Sequence, residues 1–206
     1  MSYLKQSKNN LFITNTLILI NILIIAAGAF MTPLWSNFVL QIGGNLQTAG
    51  QAVLIFSIAT GVFMCIAGRI QYHYQNDEWF MCSSALIAFL AYLGYFFVHH
   101  PWQLYLVEIG LGIGGALQSP VICALYQRYF TQEQSAMFWA IWNGFYQIAI
   151  GVGAMIAAIL VSHFSYHVMF IVLAATSFAC LVVSVLLMMK IKQVGFFAVW
   201  RLKHVP

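Results

Sequence analysis

Charged residues are missing from most of this chain. Residues 9–68, 79–107, 109–127 and 134–189 contain not one Asp, Glu, Lys or Arg. A helix needs about 20 apolar residues to cross the hydrocarbon core, and in lipid every backbone polar group must find its partner within the segment. Such runs therefore specify membrane-spanning helices. Composition agrees: 63% of the 206 residues are hydrophobic, 6% are charged, and the mean hydropathy is +0.89. A soluble domain devotes roughly a quarter of its residues to charge. Strands of a membrane barrel would alternate in and out over about ten residues, and residues 17–27 do not alternate.

Turn and polar clusters divide the apolar runs into six predicted helices, at about 11–39, 51–69, 80–98, 102–127, 135–161 and 168–189. The expected fold is an all-α membrane protein. A cytoplasmic tail spans 1–10, the six-helix domain spans 11–189, and a basic, amphipathic cytoplasmic tail spans 190–206. Lys5 and Lys8 precede the first apolar run as in a signal peptide, but that run is too long and no small-residue cleavage motif follows. The first helix is expected to stay.

The eight basic residues set the orientation. Lys5 and Lys8 precede helix one, Arg69 follows helix two, Arg128 follows helix four, and Lys190, Lys192, Arg201 and Lys203 follow helix six. The three alternate connections hold none. Because Lys and Arg accumulate on the cytoplasmic side, both termini are expected there, in a bacterial inner membrane. A formal charge of +4 does not imply nucleic acid, since the basic residues form no patch or stripe. The partner expected from these features is the lipid bilayer.

Cys65, Cys82, Cys123 and Cys180 fall in or at the edges of apolar spans with no metal-ligand spacing, so they read as small hydrophobes. His163 and His167 span a turn, and His99 and His100 are adjacent; without converging Asp, Glu or Cys they read as polar helix ends rather than metal ligands. No metal or cofactor is expected. An intramembrane serine protease would need a Gly-x-Ser-Gly setting and aspartyl chemistry would need paired acids. Neither is present, so the chain is not read as an enzyme.

Glu108 is the one carboxyl group inside a predicted span; Asp77, Glu78 and Glu133 fall in connections. An acid in lipid is costly and marks a functional site by default. At 1.5 Å per residue from Trp102 it lies roughly 9 Å from the external end. It reads either as a proton- or cation-binding acid facing a cavity or as a hydrogen-bonded interfacial group. Glu108, Gly112, Gly115 and Ser119 follow i, i+4, i+7, i+11, which puts an acid and small residues on one stripe. Gly110 and Gly114 form a GxxxG whose simplest role is close packing, and Pro120 is expected to kink the helix. Helix five offers Asn143 and Gln147 at i, i+4 beside Trp142 and Tyr146, and helix one adds Asn21. Gln147 falls about 18 Å from Ser135, near the midplane. These residues suit a cavity for a small organic ligand, or equally interhelical hydrogen bonds.

A resemblance follows from the order of these features. The stretch TPLWSNFVLQIGGNLQTAGQAVLIFSIATGVFMCIAGRI (residues 32–70) places a proline late in helix one, then an Ile-Gly-Gly turn, a Thr-Ala-Gly entry to helix two and a Gly-Arg at its end. HHPWQLYLVEIGLGIGGALQSPVICALYQRYF and FWAIWNGFYQIAIGVGAMIAAIL continue the pattern. Together they resemble the N-terminal six-helix half of the major facilitator superfamily, in its drug- and sugar-efflux-like branches. The resemblance covers residues 11–189. It implies a secondary transporter of a small-molecule substrate, with Gly68 and Arg69 opening the gating loop after helix two. Many proton-coupled members carry an Arg four residues before a helix-four glycine; ahead of Gly112 this chain has Glu108 instead, and as the acid inside a span it is the residue expected to couple to protons. Several positions depart from the pattern: Tyr72 replaces the loop's Asp, Gln75 and Asn76 replace its Gly-Arg, and Gly151 and Gly153 lack the fifth helix's proline. Transporters of this kind join two six-helix halves, and these 206 residues supply one. Two readings stand: a half-size unit that pairs with a copy of itself or with a second half, or a truncated or accessory membrane subunit that transports nothing.

Overall fold

A computed structural model describes residues 2–31, 34–74, 76–129 and 135–204, with side chains for residues 12–31, 34–74, 76–125, 137 and 139–192. Its elements are α1 (Ser2–Met31), α2 (Trp35–Gln41), α3 (Leu46–Tyr74), α4 (Asp77–Gly94), a short 3-10 turn (Tyr95–Phe97), α5 (Pro101–Tyr129), α6 (Ser135–His163) and α7 (Tyr166–His204). No strand occurs among the described residues. Among the described residues, six helices are long and apolar enough to cross a membrane: Phe12–Met31, Leu46–Tyr74, Asp77–Phe97, Pro101–Leu125, Trp139–His163 and Tyr166–Lys192.

The predicted first helix resolves into two. α1 ends at Met31 and α2 starts at Trp35, with the Leu34 amide donating to the Met31 carbonyl. A proline removes a helical donor and disfavours helix at the residue before it, although Thr32 and Pro33 themselves lie outside the described residues. So do Glu133 and the side chains of Lys5, Lys8, Arg128, Trp200, Arg201 and Lys203. A glycine turn joins α2 to α3. Gly43 has φ +79, a conformation open to glycine but strained for other residues, and the Gly44 amide donates to the Val39 carbonyl. Asn45 then caps α3: its Oδ1 accepts from the Thr48 amide at 2.9 Å, and Thr48 Oγ1 accepts from the Asn45 amide at 3.2 Å. This reciprocal pair satisfies two of the donors a helix start leaves open.

The helices pair as two threes. α3 packs on α5 and α5 on α4; in the matching positions α6 packs on α1 and α1 on α7, and α4 meets α7 at the centre. The order across the bundle is thus α3–α5–α4–α7–α1–α6, and α1 and α5 touch only sparsely. Lipid tails give helices no hydrophobic reason to associate, so small residues that admit close approach decide the seams. A Cβ on Gly112 would come 2.9 Å from both the Phe56 carbonyl and the Ala59 methyl of α3, and one on Gly153 would come 2.9 Å from the Ala29 methyl of α1. The two outer seams, α5 on α3 and α6 on α1, therefore each close on a glycine.

The core is split. One apolar cluster, with Phe30, Phe38, Tyr95, Leu104 and Phe170, fills the end of the bundle nearest the glycine turn. Another, with Ile13, Leu17, Met81, Leu125 and Leu187, fills the end that carries Arg69 and Lys192. Between them, where α1 and α5 part, lies the candidate site.

Candidate functional site

A cavity of about 290 Å³ opens between α1 and α5. Ile24, Gly28 and Met31 of α1, with Trp35 of α2, form one wall, and Glu108, Leu111, Gly114, Gly115 and Gln118 of α5 form the other. Ala85, Ala88 and Tyr92 of α4 and Ser177 and Cys180 of α7 make the floor. The lining is mainly apolar with a few polar groups, the composition typical of small-molecule sites.

Glu108 is 6% exposed and faces this cavity. Its Oε1 accepts a hydrogen bond from the Tyr95 hydroxyl at 2.6 Å. Tyr95 is itself locked by aromatic packing: it stacks on Phe170 with centroids 5.4 Å apart and meets the edge of Phe38 at 5.9 Å. Phe38, on α2, also packs on Phe170 and Tyr166. One contiguous aromatic cluster therefore runs from the acid to the short helix over the bundle's end. Deeper in the cavity sits Gln118, 7% exposed, whose Oε1 accepts from the buried Ser84 hydroxyl at 2.8 Å. Its Nε2 and the Trp35 Nε1 are buried donors with no hydrogen-bond partner.

The sequence-predicted residues scatter around this centre. Of the stripe on α5, Glu108 and Gly115 line the cavity. Gly112 is buried against α3 and Ser119 is exposed. Both i, i+4, i+7, i+11 and i, i+3, i+7, i+10 fit a period of 3.6, and the structure takes the second, through Leu111 and Gln118. What decides it is the close approach of Gly112 to the α3 backbone and the pairing of Gln118 with Ser84. Asn21 is buried in α1 but does not line the cavity. On α6, Asn143 is exposed and its Nδ2 donates to the Trp139 carbonyl at 2.8 Å; Tyr146 and Gln147 are also exposed. Trp142 is half-buried, packing on the cluster near the basic end. The structure does not bring these four into the cavity.

Gly68 is half-buried and Arg69 is exposed at the end of α3. Beside them, Asp77 opens α4 while only 3% exposed, and it accepts a 2.7 Å bond from Gln71 Nε2. The sequence places Asp77 in a cytoplasmic connection with no particular role. It instead ties α3 to α4, and Lys192 stands 4.6 Å over the Trp79 ring close by. Sequence reasoning missed Gln118, Tyr95 and Trp35. A buried amide ten residues past the acid was the available signal for Gln118, whereas Tyr95 and Trp35 enter only through packing.

The fold and cavity define an integral membrane protein with six spans among the described residues, built as two three-helix units around a central, mainly apolar cavity with a few polar groups. Residues 17–196 match the sequence profile of the Major Facilitator Superfamily, and the chain belongs to that family. It is thus a protein of the membrane-transporter kind, set in a lipid bilayer and suited to a small-molecule substrate. No curated protein matches the chain.

Proposed function

We propose that this chain is a proton-coupled secondary transporter, in the style of the drug- and sugar-efflux branches, that moves a small organic solute by alternating access. It would reside in a bacterial inner membrane with both termini cytoplasmic. The observation that carries the reading is Glu108, a buried acid on the wall of the central cavity. Desolvation disfavours the charged form of a carboxyl group, and a solute entering beside Glu108 displaces water and alters that balance. Solute and proton then compete for, or share, one place. Tyr95 joins the acid to the aromatic cluster around α2, which gives a change of charge at Glu108 a physical route to one end of the bundle.

The six-helix unit is proposed to work against a second one, either a copy of itself or another six-helix half. α3 and α6, at the two ends of the helix order, expose rows of large apolar side chains, including Leu54, Ile58 and Val62 on one and Ile148, Val152 and Met155 on the other. Facing a second unit, Trp142, Asn143, Tyr146 and Gln147 would line the shared path, and Gly68 and Arg69 would lie at its cytoplasmic mouth.

The test is reconstitution in liposomes under an imposed pH gradient, with panels of drug-like and sugar-like solutes. Gradient-driven accumulation is expected for the wild type. Glu108→Gln should abolish accumulation while leaving exchange of solute for solute. If no solute moves in either mode, the non-transporting accessory subunit becomes the better account.

A further inference from the structure

We infer that Gln118 is the cavity's oxygen-recognising anchor, so that the substrate class is a mainly apolar solute bearing a hydrogen-bond acceptor such as a carbonyl. The inference rests on the reading that the α1–α5 cavity holds the transported solute. Ser84 donates to Gln118 Oε1 at 2.8 Å, and in this arrangement the amide's other end has no partner. The other end, Nε2, is buried and without a hydrogen-bond partner, on a residue that lines the cavity. A buried donor with no partner is a standing cost that an incoming acceptor removes. A solute lacking the acceptor leaves that cost in place, so the site discriminates by what it would leave unsatisfied.

The surroundings narrow the class. Glu108 lies ten residues earlier on the same helix, about 15 Å away along its axis at 1.5 Å per residue. Trp35, whose indole Nε1 is also unpaired, lines the cavity together with Glu108 and Met31. Between these ends the wall is Ile24, Leu111, Ala88 and Gly115. The fitting ligand is therefore elongated, with an acceptor oxygen at the Gln118 end and an apolar body. No described residue near Gln118 carries a charge that would favour an ionic group there, since the acid sits at the other end.

Two probes with one carbon skeleton isolate the acceptor: benzoylcyclohexane, with a carbonyl, and benzylcyclohexane, with a methylene in its place. Binding of each tritiated probe is measured on the protein in nanodiscs, after subtraction of empty nanodiscs. The wild type is expected to hold the ketone roughly tenfold more tightly than the hydrocarbon. Gln118→Leu should bring the two affinities together and leave the hydrocarbon's unchanged. Ser84→Ala, which frees the amide to turn, should shrink the preference without removing it, and it serves where Gln118→Leu does not fold. A purely structural Ser84–Gln118 bond predicts lower stability in both variants with the ketone preference intact; that outcome overturns the inference and leaves the cavity as a binding site. Gly115→Leu, which fills open space on the cavity wall, should weaken both probes. If it weakens neither, or if neither probe binds the wild type, the cavity reading fails and takes the inference with it.

Discussion

Two glycines on α5, three residues apart, separate packing from lining. A Cβ at Gly112 would sit 2.9 Å from the Phe56 carbonyl and the Ala59 methyl, whereas one at Gly115 would meet nothing within 4 Å. Backbone cannot retreat as a flexible side chain can, so Gly112→Ala should force α5 away from α3 at a cost of about 1–3 kcal/mol, the usual penalty of overpacking. Gly115→Ala should leave stability unchanged. Thermal unfolding in detergent compares them; equal midpoints would remove the claim that Gly112 sets the α3–α5 approach. A second residue-scale prediction concerns Tyr95. Tyr95→Phe keeps the ring stacked on Phe170 but deletes the 2.6 Å bond to Glu108. It should disturb the dependence of transport on the pH gradient more than it disturbs stability, as read by transport at several gradients beside the unfolding midpoint. The sequence made the acid legible, because a lone carboxyl group in an apolar span is conspicuous. It did not make the lining legible, because a 3.6-residue period admits two stripes through Glu108 and only packing against α3 and α4 chooses between them.

Among the elements, α2 has the most specific role. It was predicted as the tail of a long first helix, and the boundary near Pro33 turns it into a separate seven-residue helix over the end of the bundle. An isolated helix of that length is not stable by itself. What holds α2 is Phe38, 4% exposed and packed on Tyr95, Tyr166 and Phe170. Phe38→Ala should cost about 3 kcal/mol of packing and loosen the end of the cavity nearest the glycine turn. Gly28 lines that cavity, and under the proposed topology this end faces outward. In a background lacking the four native cysteines, Gly28→Cys should react faster with an impermeant thiol reagent applied outside once Phe38 is replaced. Unchanged labelling would mean that α2 does not close the cavity. The spans themselves were readable in advance because charge is excluded from lipid whatever the packing. The break was less so: the proline was visible, but the aromatic cluster that gives α2 its place is assembled from three separate elements.

At the scale of the whole molecule, the bundle's burial is uneven in a directed way. Only 11% of the most apolar stretch of α3 and of α6 is buried, against 44% for α5 and 39% for α7. These two exposed helices are the ends of the helix order, and the cavity lies between the helices they pack on, α5 and α1. A twofold axis along the membrane normal, passing in front of the cavity, would set α3 of one unit against α6 of the other. Each contact would then use one copy of each exposed row. Ile58 lies about 18 Å from the start of α3 and Val152 about 17 Å from the end of α6 at 1.5 Å per residue, so their depths match. Their exposures, 56% and 54%, also match. Differently tagged chains carrying Ile58→Cys and Val152→Cys, each in the cysteine-free background and co-expressed, should form a mixed disulfide dimer in membranes on mild oxidation. Either substitution alone should cross-link far less, because the twofold places neither residue against its own copy. A mixed dimer supports a transporter assembled from two copies. Cross-linking of like with like would require a different axis, and no cross-linking in either arrangement would point to a second unit that is not this chain.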